Sequence, residues 1–281
     1  MSHPVHWICP ACNDVVASAY CPRCGEEPVL PADLTLRGLA GKLAHALTSI
    51  DARALRTSWR LLRRPGELTL SWSRGVRRPY VAPFQLFLLA NVLFFALQSF
   101  TGTNVFSSSL DSHLHHQDWS ELARSLVDRH LAATRLSLDA YAPVFDRAVV
   151  LNAKSLIVLM TLPFALLLPV VFLRDHRPFM VHVAFALHLY TFLLLLFCVG
   201  LVAATASAWA GPGGLDVPAV DTTISLFLFV SGAAYLYAAI APVYQAAGAM
   251  RWVQAALLAV AVAAIVVGYR FVLFLITLYG T

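Results

Sequence analysis

Four cysteines stand within sixteen positions near the start of the chain, in the order Cys9-x2-Cys12-x8-Cys21-x2-Cys24. Each C-x2-C turn aims two thiolates at one point. Two such turns facing each other make the tetrahedral sulfur set that Zn2+ takes in closed structural sites. Pro10 and Pro22 follow the first cysteine of each pair and stiffen the turn, and Gly25 follows the last, where a tight turn often needs a positive φ. A rubredoxin-like iron site and a redox dithiol pair are the alternatives for the same spacing. With four cysteines present, His3 and His6 are not needed as ligands. A closed set leaves no open coordination position, so the expected Zn2+ is structural and no catalytic residue is assigned. A ribbon this small, residues 1–30, cannot bury a core and depends on metal to fold.

The rest of the chain sets where that ribbon must work. Of 281 residues, 59% are hydrophobic and only 12% charged, with a mean hydropathy of +0.71. Soluble domains carry roughly a quarter charged residues, so the composition points to an all-α polytopic membrane protein with the ribbon at its N-terminus. The first thirty residues lack the basic start and apolar stretch of a secretory signal. Crossing about 30 Å of hydrocarbon takes roughly 20 apolar residues. Five runs qualify, at about 80–100, 155–173, 179–205, 222–245 and 252–272, with an outer loop at 101–149. Pro163, Pro169 and Pro242 do not argue against them, because neighbouring helices can satisfy the freed backbone groups.

Charge supplies an orientation. Residues 1–79 hold 11 of the 20 Lys and Arg against 6 acids, so they account for the whole net charge of +5. A basic patch can serve nucleic acid, but in front of membrane spans the topological reading takes precedence. With the N-terminus inside, Arg60, Arg63, Arg64, Arg74, Arg77, Arg78, Arg174, Arg177 and Arg251 flank the spans on the cytoplasmic side. Arg135, Arg147 and Lys154 flank them on the other, and the loop at 211–218 has no basic residue. Trp72, Tyr80 and Trp252 then fall at the inner interface and Trp209 at the outer one. The expected location is a bacterial inner membrane with a cytoplasmic N-terminus, where structural disulfides are rare and paired cysteines read as metal ligands.

Between ribbon and bilayer, residues 31–79 form a basic segment. Asp33 caps an expected helix from about Leu34 to Arg64, on which Leu36, Leu39, Leu43, Leu47 and Ile50 recur at helical spacing, and Pro65-Gly66 stops it. Its arginines and Trp59 suit anionic lipid headgroups, although the same face also suits packing on the membrane domain or on a second subunit. The stretch IDARALRTSWRLLRRPGELTLSWSRGVRRPYVAPFQLFLLANVLFF, residues 50–95, resembles a bacterial membrane family catalogued as domain of unknown function 3667. The resemblance rests on Asp51, Thr57, Leu61, Leu62, Arg64, Pro65, Gly66, Gly75, Arg77, Tyr80 and Pro83, with Arg78-Pro79 a small departure. It implies an N-terminal two-CxxC ribbon followed by several spans, and implies no activity.

Ionisable groups within spans are functional candidates. Lys154 falls at the outer end of the second span and can snorkel, and Arg270 can reach the outer interface or pair with Asp221 or Asp146. Asn91 suits a bond to a neighbouring helix. His182 and His188, six residues apart on one helix, point about 120° apart and cannot share a haem, so a polar packing or gating role is expected. His113, His115, His116 and His130 in the outer loop could collect a metal ion, and Asp118 with Glu121 reads as a capping box opening a surface helix to about Leu138. No carboxylate falls inside the spans, and no HExxH, Walker or dinucleotide glycine motif is present.

The leading expectation is a non-enzymatic inner-membrane protein whose ribbon and basic segment dock a protein partner at the cytoplasmic face. A channel, carrier or lipid-handling protein using Asn91, His182, His188, Tyr190, Tyr235 and Tyr237 is the alternative. An enzyme acting on a lipid or quinone at the interface is the third reading. A polar cavity reaching the midplane would favour transport, and a pocket gathering Arg270, Lys154 and the loop histidines would favour an enzyme.

Overall fold

The computed structural model describes residues 7–9, 14–17, 53–76, 79–102, 107–173, 175–210 and 218–281. The chain divides into two units, Met1–Arg53 and Ala54–Thr281. In the first, β1 (Trp7–Ile8) pairs antiparallel with β2 (Val15–Val16), Trp7 opposite Val16 and Ile8 opposite Val15. The Cys9 N–H donates to the Asp14 carbonyl at 2.9 Å and closes the turn between the strands.

The second unit is helical. Residues 53–63 form α1 as far as it is described. Ala54, Thr57 and Leu61, at helical spacing, are buried, whereas Leu55, Trp59 and Leu62 are exposed on the other side. The chain turns at Pro65-Gly66 and enters α2 (Glu67–Ser73). Glu67 receives Arg60, and Arg64 lies 3.6 Å from its other oxygen, so one carboxylate ties both arms of the turn. Then come α3 (Pro83–Thr101), α4 (Leu110–His115), α5 (Ser120–Thr134) and α6 (Leu138–Leu156), followed by a 3-10 turn over Ile157–Met160. Helices α7 (Thr161–Val171), α8 (Phe179–Ala210), α9 (Pro218–Tyr244) and α10 (Gly248–Gly280) complete the fold. Pro83 opens α3, where its missing N–H is not needed, and Gly102 closes it at φ +69°.

Among the described residues, α3, α8, α9 and α10 are each long and apolar enough to cross a membrane. A fifth crossing is possible through a bent pair, Leu138–Lys154 and Ile157–Val171, at 59° to each other. Pro163 has no N–H to donate and its ring clashes with the carbonyl one turn earlier, a sufficient cause for the 3-10 turn before it. The second apolar run, expected at 155–173, is therefore continued backwards by a helix that begins well inside the expected loop.

Helix α8 is the axis. Of its apolar window 72% is buried, against 22% for α10, and it packs against α2, α3, α7 and α9. Side chains such as Phe87, Phe94, Phe164, Leu168, Phe185 and Ile240 fill the core around it. The outer faces stay apolar, with Val92 on α3, Leu226 on α9 and Val260 on α10 exposed, as lipid contact requires. A helix of 33 residues spans ~50 Å, longer than the hydrocarbon. The far end of α10 accordingly carries a second core, in which Phe274 and Leu278 pack with Leu110, Val127, Tyr141 and Phe145 of α4, α5 and α6.

That packing corrects one local expectation. The N-cap of α5 is Trp119, with no side-chain cap, rather than Asp118 of a capping box. The Trp119 indole packs on Phe271, ring centroids 5.4 Å apart, and donates to His113 Nδ1 at 3.2 Å, and this anchoring sets where the helix starts. The helix ends at Thr134, with Arg135 at φ +56°, and a separate helix, capped by Ser137, begins after it.

Candidate functional site

Of the four cysteines, Cys9 lies among the described residues; Cys12, Cys21 and Cys24 lie outside them. Cys9 is fully buried at the end of β1, in a core it shares with Val16 and Trp7. Among the described residues no three metal-binding side chains come together. The loop histidines are spread: His113 accepts from Trp119, His115 bonds Asp111 at 2.9 Å, and the His130 ring lies 5.0 Å from Tyr141.

A different polar site emerges where α1, α2 and the strand-like run before α3 meet the bundle. Gly66, at φ +82°, presses on α9: a Cβ there would collide with the Ala239 carbonyl oxygen and come within 2.8 Å of Pro242 Cγ. Only glycine takes both this conformation and this contact without strain. One turn on, Thr69 Oγ1 and His188 Nδ1 of α8 are 2.8 Å apart, both side chains buried. The Val81 N–H donates to Thr57 Oγ1 at 3.1 Å, binding the entry of α3 to α1. Between these ties lies a cavity of about 160 Å3 lined by Leu68, Trp72, Tyr80, Gln85 and His188 among others. Arg60 lies over the Tyr80 ring at 6.0 Å, which brings positive charge to its edge.

Chemically this is a keyed joint. The Thr69 hydroxyl and His188 imidazole could in principle act as nucleophile and base, but Thr69 is only 1% exposed and is closed to a substrate. The bond instead satisfies two polar groups that burial would otherwise penalise. His188 is legible in the sequence as a span histidine, whereas the sequence signal for Thr69 is no more than a polar residue beside Leu68 on the inward face of a short helix.

The other span groups do not converge on a common path. His182 bonds the Tyr244 hydroxyl at 2.9 Å, with the rings stacked. Tyr235 stacks on Phe192, and Tyr237 lies under Arg251 and beside Trp252. The Tyr190 hydroxyl is buried without a hydrogen bond. Asn91 donates to the Phe87 carbonyl of its own helix at 3.0 Å, rather than to a neighbouring helix. A cavity of about 310 Å3 between α8, α9 and α10 is lined by apolar side chains with Ser225 as its one hydroxyl.

Lys154 and Arg270 are also apart in role. Lys154 is exposed and lines a groove between α3 and the bent span. Arg270 donates through Nη2 to Ser108 Oγ at 2.6 Å, whereas Asp146 accepts from the Leu110 N–H at 2.8 Å. Burial, and then the nearby Arg270 charge, pushes the His113 imidazole down to about 4, so it is neutral at physiological pH.

No curated protein and no solved structure matches the chain. Residues 51–95, which supply Thr57, Gly66 and Thr69 to the joint, are similar to a known family: they match the family model described as protein of unknown function (DUF3667).

Proposed function

We propose that the protein is a bacterial inner-membrane docking platform. Its N-terminal ribbon and basic segment present a surface to a protein partner at the cytoplasmic face, and the helices anchor and orient that surface. The observation that carries the reading is the joint. Gly66, Thr69 and Thr57 tie the matched segment to the bundle, while Leu55, Trp59 and Leu62 of α1 stay exposed. Arg63 lies over the Trp59 ring at 4.4 Å, giving that face an aromatic–cationic character common in protein interfaces. Among the described residues the polar groups of the spans are scattered and the cavity between α8, α9 and α10 is apolar, which favours docking over transport.

In this reading Cys9, Cys12, Cys21 and Cys24 hold one structural Zn2+. Cys9 suits that role: its side chain is buried beside β1 and packs, among the described residues, with Val16 and Trp7. In a ribbon of about thirty residues the metal would supply folding energy. Deleting residues 1–30 should leave the protein inserted and abolish its cellular role and its co-purifying partner. Full complementation of a knockout by the truncated chain would reject the docking reading.

A further inference from the structure

Arg270 is a half-buried cation whose demand for a partner is only partly met. Its Nη2 donates to Ser108 Oγ at 2.6 Å, and its Nε is buried with no hydrogen bond. Among the described residues it forms no ion pair with either acid the sequence suggested, Asp221 or Asp146, and Asp146 accepts from the Leu110 N–H. Next to Ser108, the Ser107 hydroxyl is buried, 3% exposed, and likewise has no partner. The neighbouring His113 accepts from Trp119 through Nδ1, and an imidazole supplies no negative charge. Leaving a guanidinium partly desolvated without an anion is costly, and hydroxyls alone do not neutralise it.

We propose that Arg270 and Ser108, with Ser107 adjoining in sequence, form a binding site for a phosphate group, either free or in a lipid headgroup. A guanidinium matches phosphate oxygens with paired N–H donors, and serine hydroxyls add neutral donors without competing charge. Position fits the lipid source: Arg270 lies 22 residues along α10 from Gly248, about 33 Å at 1.5 Å per residue. That distance passes the roughly 30 Å hydrocarbon thickness and reaches headgroup level. The site lies at the end of the bundle where α4, α5 and α6 pack on α10, so an anion there would tie that layer to the membrane surface.

The test uses the full-length, delipidated protein in a neutral detergent. Its melting temperature is followed against inorganic phosphate, against a short-chain phosphatidylglycerol, and against chloride at matched ionic strength. A saturable rise with either phosphate probe, absent with chloride, is expected. A response to both probes identifies a site open to free phosphate, and a response to the lipid alone identifies a headgroup site. Arg270→Gln should weaken the apparent affinity at least tenfold. Ser108→Asp, which supplies a carboxylate at the residue touching the guanidinium, should raise the melting temperature without any probe and remove the response. No probe-dependent rise in the wild type, or an undiminished one in Arg270→Gln, overturns the proposal. If Arg270→Gln does not fold, Ser108→Asp decides: a response equal to that of wild type overturns it equally.

Discussion

Thr69 Oγ1 lies 2.8 Å from His188 Nδ1, joining a seven-residue helix to the most buried helix of the bundle across 119 positions of sequence. The bond belongs to neither helix alone. It fastens α2, within the matched segment, to the core of the helical unit that begins at Ala54.

Breaking that bond from one side should be worse than removing it whole. Thr69→Val keeps the shape and strands the imidazole nitrogen, which costs about 1–3 kcal/mol for a buried group. Adding His188→Phe removes the stranded group and should recover part of the loss. Thermal unfolding in detergent checks this, and additive losses in the double variant would sink the interpretation.

Gly66→Ala should loosen the same joint through the backbone. Its φ of +82° and the approach of Ala239 and Pro242 leave no room for a methyl group. Strain of this kind costs roughly 1–3 kcal/mol. Limited proteolysis should cut the variant faster between residues 53 and 76 than the wild type, whereas equal cleavage rates would show that α9 yields without penalty.

The layer on the far end of α10 should weaken in acid. His113 drops from its ordinary 6.5 to about 4, first because it is buried and second because Arg270 is close. Its folded form is the neutral one, so the unfolded chain binds the extra proton between those two values. Stability is therefore full above pH 6.5 and declines as pH falls towards 4. His113→Phe should flatten the decline over that window relative to wild type. A profile unchanged by the substitution would assign the acid sensitivity to other groups.

Zinc content tests the ribbon separately from the helices. Elemental analysis of purified protein should find one zinc per chain, and Cys24→Ser should lower it while the spans remain inserted. Zinc retained in a double Cys9→Ser, Cys24→Ser variant would exclude a four-cysteine site.

Orientation is tested with single cysteines in a background where the native ones are replaced. Ser125, exposed on α5, should label with an impermeant thiol reagent in intact cells, and Ser73, exposed at the end of α2, only after lysis. The opposite pattern would overturn the proposed orientation, and with it the cytoplasmic setting on which the zinc reading rests.

From the residue string alone, the membrane character, the apolar runs and the Pro65-Gly66 stop were legible. Each depends on properties read within a window of neighbouring residues: hydrophobicity over a span length, and the missing donor of proline or the freedom of glycine at a turn. The spacing of the CxxC pairs is equally local, and the expectation that they are metal ligands rests on that spacing. Only the tertiary structure decided what the polar residues do. His188 meets Thr69, Arg270 meets Ser108 across 162 positions, and Asp146 turns to Leu110 instead. It also decided that α8 is the axis, and that the second apolar run is bent and continues into the layer at the end of α10. A buried polar group must find a partner, but its own sequence neighbourhood does not say which of several inward-facing groups the packing will bring within 3 Å.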